Sequence, residues 1–176
     1  MKIAALWGLA EATVFFIVPD VWLSWVGRKN LKRGIRACFP ALAGAIVGGI
    51  LMYYGGGPQG AALNPLLERI PGISPAMIAT VRADLAENAL LAILIGPLFG
   101  IPYKIFAANF QEFYPSLAAF VAISIPARLL RFLAVTTLMH GVNRLLSRWY
   151  SDQVCIWIFW GAWVGFYGIY FYLKGW

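Results

Sequence analysis

Five ionisable side chains stand inside stretches that are otherwise apolar: Glu11, Asp20, Lys104, Arg128 and Arg131. Isolated in hydrocarbon, each carries an insertion cost of about 2.5 to 3.5 kcal/mol, and together they rival the stability of a whole domain. They are therefore expected to gather around one polar pocket. The two negative and three positive charges suit that pocket to an anion. For Glu11 two roles stand open: a protonatable carboxylate that couples or gates, or one half of a fixed salt bridge to Arg128, Arg131 or Lys104. Asp20 either shares in the coupling or N-caps a helix that starts near Val21. Arg128 and Arg131 fall with Ser124 and Val135 on one arc of a helical projection, where they clamp a phosphate or neutralise the two acids. His140 reads as an interfacial residue near a helix end.

The remaining inventory offers little to an enzyme. The chain has a single His, no Ser or Cys in a nucleophile setting, no His-rich metal spacing and no phosphate-cradling glycine loop. No catalytic residue, metal or cofactor is expected. Cys38 and Cys155 begin apolar runs beside basic loops and read as reduced core residues.

Composition sets the frame that must position the charges. Hydrophobic residues make up 61% of the chain and charged residues 12%, against about 25% charged in soluble domains, so a polytopic membrane protein with a single membrane domain over residues 1–176 is expected. The apolar runs are Ile3 to Gly27, Ala37 to Gly57, Ala89 to Phe110, Leu117 to Gly141 and Val154 to Leu173. The net charge of +7 does not point to nucleic acid, because no soluble basic module carries it. Arg28, Lys29, Lys32, Arg33 and Arg36 crowd one connection, and Arg144 and Arg148 another, as the positive-inside bias requires of cytoplasmic loops.

Two of the runs are not simple spans. On an unbroken helix Glu11 and Asp20 would lie on opposite faces, whereas a stop at Val18, before Pro19, lets the chain turn both acids inward. The run from Ala89 is punctuated by Gly96, Pro97, Gly100 and Pro102, with Lys104 close behind. At membrane depth a broken helix survives only where protein or a cavity covers the freed backbone. Each broken run is followed by a helix bearing a proline, so that Pro19 and Pro40 correspond to Pro102 and Pro126. Duplicated broken helices are a pointer to an inverted repeat.

The expected fold is thus an all-α integral membrane protein: two inverted-repeat re-entrant hairpins, about three spanning helices and an interfacial amphipathic helix. Residues 1–57 form the first repeat, 61–88 the interfacial helices, 89–149 the second repeat and 153–174 an aromatic spanning helix. Pro40 is expected in the first turns of a helix from Ala37, where proline costs least. Asn64-Pro65 and Ser74-Pro75 predict short helices over 65–70 and 75–88, the second lying along the interface with Ile78, Val81 and Leu85 on one face. The last helix is expected to face lipid and pack through Gly161, Gly165 and Gly168.

The segments AEATVFFIVPD (Ala10 to Asp20), AGAIVGGILMYYGG, GPLFGIPYK (Gly96 to Lys104) and ARLLRF (Ala127 to Phe132) resemble, in order and spacing, the DedA family of SNARE-associated or VTT-domain membrane proteins, within it the YqaA-like branch. The resemblance covers nearly the whole chain. It implies two re-entrant hairpins meeting at mid-membrane, proton-dependent translocation or scrambling of lipids such as phospholipids or undecaprenyl phosphate, and a place in the bacterial inner membrane. Glu11 and Asp20 match the acidic pair of the family's first hairpin. Many members carry an Arg where Pro97 stands here, and the later base is Lys104.

Three functions stay open. One is a flippase- or scramblase-like translocase whose lipid partner passes its head group near Glu11, Lys104 and Arg128 while its tails stay in the bilayer. The second is a proton-coupled carrier for a small solute, and the third a non-transporting membrane-organising protein. Protons and a homo-oligomer stay open as partners. Topology is the most direct test of the reading. With loops 28–36 and 144–148 cytoplasmic, the helix from Ala37 runs outward, that from Pro115 inward and that from Val154 outward. Met1 is then cytoplasmic if the first run is re-entrant, and external if it spans. Labelling single introduced cysteines near Met1 and Trp176 with an impermeant maleimide reads both ends, and a cytoplasmic Trp176 overturns the scheme.

Overall fold

A computed structural model describes residues 1–58 and 62–174; residue 61, where the interfacial stretch was to begin, and Trp176 lie outside the described residues. The elements in chain order are α1 (Lys2–Thr13), α2 (Asp20–Gly27), α3 (Leu31–Gly56), α4 (Asn64–Leu67), α5 (Pro75–Ile95), a 3-10 turn (Gly96–Phe99), α6 (Tyr103–Phe113), α7 (Leu117–Leu146) and α8 (Asp152–Lys174). The described residues contain no strand. Three helices, α3, α7 and α8, are long and apolar enough to cross a membrane, and the chain is an integral membrane protein on that ground.

The mast of the fold is α3. Asn30 caps it, its side chain accepting from the Arg33 amide at 3.0 Å, so the helix starts upstream of Ala37 and Pro40 lies well inside it rather than in the first turns. Glycines let two helices lie directly on it. A Cβ at Gly8 would run into the Ala41 carbonyl, one at Gly44 into the Ala5 carbonyl, and one at Gly48 would stand 2.8 Å from the Ala12 methyl. Because Gly44 meets Ala5 and Leu9 while Gly48, one turn on, meets Leu9 and Ala12, α1 runs in the same direction as α3. The chain then turns back, and a Cβ at Gly34 would lie 2.6 Å from the Gly27 Cα, so α2 ends where α3 begins.

On the other side of α3, Gly49 meets Tyr103 and Gly56 meets the Ala108 backbone, so α6 also runs with α3. Its opposite neighbour α7 runs against it, from Phe120 beside Gly49 to Thr136 beside Gly34. The helix α5 descends towards the middle: Arg82 pairs with Glu112 near the end of α6 at 2.5 Å, whereas Gly96 abuts the ring of Phe106. At one end of the molecule the basic loops close together. His140 Nδ1 lies 3.0 Å from the Gly27 carbonyl, Asn143 donates to the Arg28 carbonyl at 3.3 Å, and Asp152 pairs with Arg28 at 3.0 Å and Lys29 at 2.7 Å. At the other end Tyr53, Phe110 and Phe120 form an aromatic core.

Three expectations need correcting. The short helix expected over 65–70 is a single turn, Asn64–Leu67. The helix from Pro75 continues past residue 88 to Ile95, bent at Asn88 (φ −159°, ψ 98°), whose side chain caps the continuation through the Leu91 amide at 3.1 Å. Its buried face, Met77, Ile78, Val81 and Leu85, packs on protein. Finally, α8 does not pack through its glycines. Cys155, Phe159 and Phe171 are buried, whereas Gly161, Gly165 and Gly168 meet nothing. Large aromatic side chains on the inner face hold the helix off at their own length, and the small face turns outward.

These contacts separate two kinds of glycine. Gly44→Ala is expected to destabilise the protein by about 1 to 3 kcal/mol through forced separation of α1 and α3, whereas Gly161→Ala should be neutral or stabilise by up to about 1 kcal/mol. Thermal unfolding midpoints of the two variants in detergent check the contrast.

Candidate functional site

Two interruptions of helix face each other at the centre of the molecule. The first begins earlier than Val18. Thr13 turns its hydroxyl back to within 2.9 Å of the Leu9 carbonyl, and the Val14 and Phe15 amides both donate to the Ala10 carbonyl, which closes α1 at Thr13. The Trp7 indole then donates to the Ile17 carbonyl at 2.9 Å and folds residues 14–19 back along the helix. Pro19 stands immediately before α2. Asp20 is the first residue of that helix and caps nothing, because its carboxylate is engaged elsewhere.

The second interruption is the 3-10 turn from Gly96 through Pro97, followed by Gly100 at φ +82° and Pro102 before α6. That left-handed φ is open to glycine at no steric cost. Gly96 is required for a different reason, since a Cβ there would enter the Phe106 ring.

The charged side chains tie the two interruptions to each other and to α7. Arg128 donates through Nη2 to Glu11; the two residues are 1% and 3% exposed, so this is a fully desolvated pair. The guanidinium lies between the rings of Tyr103 and Phe132, 4.7 and 4.8 Å from their centroids. One turn further, Arg131 donates through Nε to Asp20 at 2.9 Å and through Nη1 to the Pro97 carbonyl at 3.0 Å. Lys104 donates to the Phe15 carbonyl at 2.6 Å. Arg131 and Lys104 therefore each join an element of one interruption to the backbone of the other.

Beside these groups lies a cavity of about 670 Å³, within the usual size of small-molecule sites. Glu11, Asp20, Lys104 and Arg131 line it at one level, and mostly apolar side chains of the two interruptions, of residues 70–73, of α7 and of α8 line the rest. Arg128 stands behind Glu11 and does not reach the wall. The charge at that level is thus two negative and two positive, and Lys174 near the exposed margin adds a third positive charge to the lining. Asp20 Oδ1 is buried with no hydrogen-bond partner among the described residues. His140 is not among the residues that line the cavity and joins α7 to the end of α2.

Two residues of the site carry no charge and escaped the sequence reading. Tyr167 accepts the Val18 amide on its hydroxyl at 2.8 Å, and Tyr170 lies within hydrogen-bond reach of the carbonyls of Gly100 (3.2 Å) and Gly72 (3.3 Å). One face of α8 therefore covers both interruptions. The signal available was spacing, since Trp163, Tyr167 and Tyr170 recur at helical intervals within the aromatic run.

Comparison of the chain with family models, with curated proteins and with solved structures finds no match. The chemistry of the site accordingly rests on its own geometry. Its energetics can be tested directly on the Glu11–Arg128 pair. Glu11→Ala should cost about 3 to 5 kcal/mol by leaving Arg128 buried and unpaired, and Glu11→Met with Arg128→Met should recover most of that loss. Unfolding midpoints of the single and double variants measure both effects.

Proposed function

We propose that this protein is a membrane translocase for amphiphilic lipids, working as a scramblase or flippase on a phosphate-bearing head group. The observation that carries the reading is the cavity: a level of four ionisable groups set in apolar walls, with Leu98, Phe99 and Leu173 in those walls 65%, 75% and 70% exposed. A charged head group fits the polar level, and exposed apolar walls suit the chains of a lipid better than the closed aqueous route of a solute carrier. In the same reading, residues 2–27 and 89–113 are two re-entrant hairpins of an inverted repeat. It is supported by α1 running with α3 and α2 returning to the basic end, while α5 descends and α6 climbs back at the opposite end. The resemblance to the DedA family supports the same assignment, with proton coupling at Glu11 and the bacterial inner membrane as the place of action.

In the proposed mechanism Lys104 and Arg131 receive the phosphate, with Arg131 exchanging part of its bond to Asp20 for the head group. Glu11 answers the change in charge by taking up or releasing a proton. Proteoliposomes holding fluorescent phospholipids, with a parallel set under a pH gradient and reporter dye, test the proposal. Wild-type protein should equilibrate the lipid between leaflets, Arg131→Lys should slow it about tenfold through loss of the forked contact, and Glu11→Gln should insert normally but lose the dependence of rate on pH. Absence of lipid movement in the wild type overturns the translocase reading, and an unchanged pH profile in Glu11→Gln overturns the coupling role.

A further inference from the structure

The cavity is not confined to its charged level. On the side towards the basic loops it continues between α7 and α8 as an apolar arm, walled by Val135 and Met139 on one helix and Ala162, Trp163 and Phe166 on the other. From Ala162 to Leu173 the inner face of α8 follows the cavity for about 16 Å at the helical rise of 1.5 Å per residue. The opposite end is the exposed margin formed by Leu98, Phe99 and Leu173. Between the two lies the polar level, with the unpartnered Asp20 Oδ1. The indole Nε1 of Trp163, also without a partner among the described residues, stands where the arm leaves that level.

We infer that the arm between α7 and α8 is a binding site for one hydrocarbon chain of a lipid, inserted from the Leu98–Leu173 margin until its head group rests at Asp20, Lys104 and Arg131. The order of surfaces dictates this occupant. Beyond the polar level an apolar chain meets only apolar walls in the arm, and burying it there recovers the favourable transfer of chain and walls from any contact with water. A head group reaching the middle meets free Lys104 N–H groups, and the Trp163 N–H faces the segment that joins head to chain, where an ester carbonyl supplies an acceptor. A wholly polar ligand would leave the arm unfilled, and a pure hydrocarbon would leave the charged level without a partner. The site seats a chain in a groove between α7 and α8 that is open on the side of Phe166, which is 51% exposed, where the sequence reading left it in the bilayer. It rests on the proposed function only for the identity of the head group.

The test is photolabelling in proteoliposomes with a phospholipid that carries a diazirine at the end of one acyl chain, followed by peptide mapping. Adducts are expected on Val135, Met139, Ala162 or Trp163, in addition to the diffuse labelling of outward residues such as Trp157, Val164 and Tyr172. Ala162→Trp should lower labelling of the α7 positions by about fivefold or more by filling the arm, with outward labelling unchanged. Val135→Phe fills the same space from the other helix and should act alike on the α8 positions if the first variant folds poorly. Adducts confined to outward residues, or arm labelling that neither variant reduces, overturn the inference. Because labelling reads occupancy and not movement, arm adducts in a protein that moves no lipid would retain the chain site and reject the translocase, and the reverse pattern would do the opposite.

Discussion

A peptide group released from a helix inside a membrane has no water to turn to, and each one left bare costs several kcal/mol. This chain releases such groups twice, at residues 14–19 and 96–102, and places the two interruptions against each other. Four polar side chains answer them. Lys104 takes the Phe15 carbonyl, Trp7 that of Ile17, Arg131 that of Pro97, and Tyr167 receives the Val18 amide. The charges thus complete a backbone that no helix completes, besides lining the cavity. Their own desolvation is offset by pairing across the molecule, Glu11 with Arg128 and Asp20 with Arg131.

Around that centre the molecule is stiff on one side and loosely filled on the other. Helices α1 and α3 approach until glycine is the only residue that fits at Gly8 and Gly44, and α6 meets α3 in the same manner at Gly56. Elements interlocked at backbone distance do not slide without first separating. On the far side α8 stands off on aromatic side chains, tied to the basic end by Asp152 and to the interruptions by Tyr167 and Tyr170. The cavity occupies the space that this difference in packing leaves.

Much of this was legible in the residues because its causes are local. Proline and glycine mark where a helix cannot continue, so both interruptions were visible from Pro19 and from Gly96 to Pro102. Ionisable groups in apolar sequence declare themselves by their cost, and Glu11, Asp20, Lys104, Arg128 and Arg131 stood out for that reason. What depended on distant partners was not legible. Which arginine meets which acid is decided across more than a hundred residues. The return of residues 14–19 along α1 depends on the Trp7 indole closing onto Ile17, and the role of Asp20 on Arg131 drawing its carboxylate away from a cap. The glycines of α8 showed a small face at helical spacing without showing what it faces, and the same ambiguity hid Tyr167 and Tyr170 among residues that looked like lipid-facing filler.

Arg131 holds both interruptions at once, Asp20 by its carboxylate and Pro97 by its backbone oxygen. A donor shared in this way makes the two halves of the centre thermodynamically linked. Whatever loosens its grip on one side alters the free energy of the other by an equal and reciprocal amount, with no need for a chain of intermediate contacts. The two interruptions, which belong to different stretches of sequence and open towards opposite ends of the molecule, therefore respond as a single element.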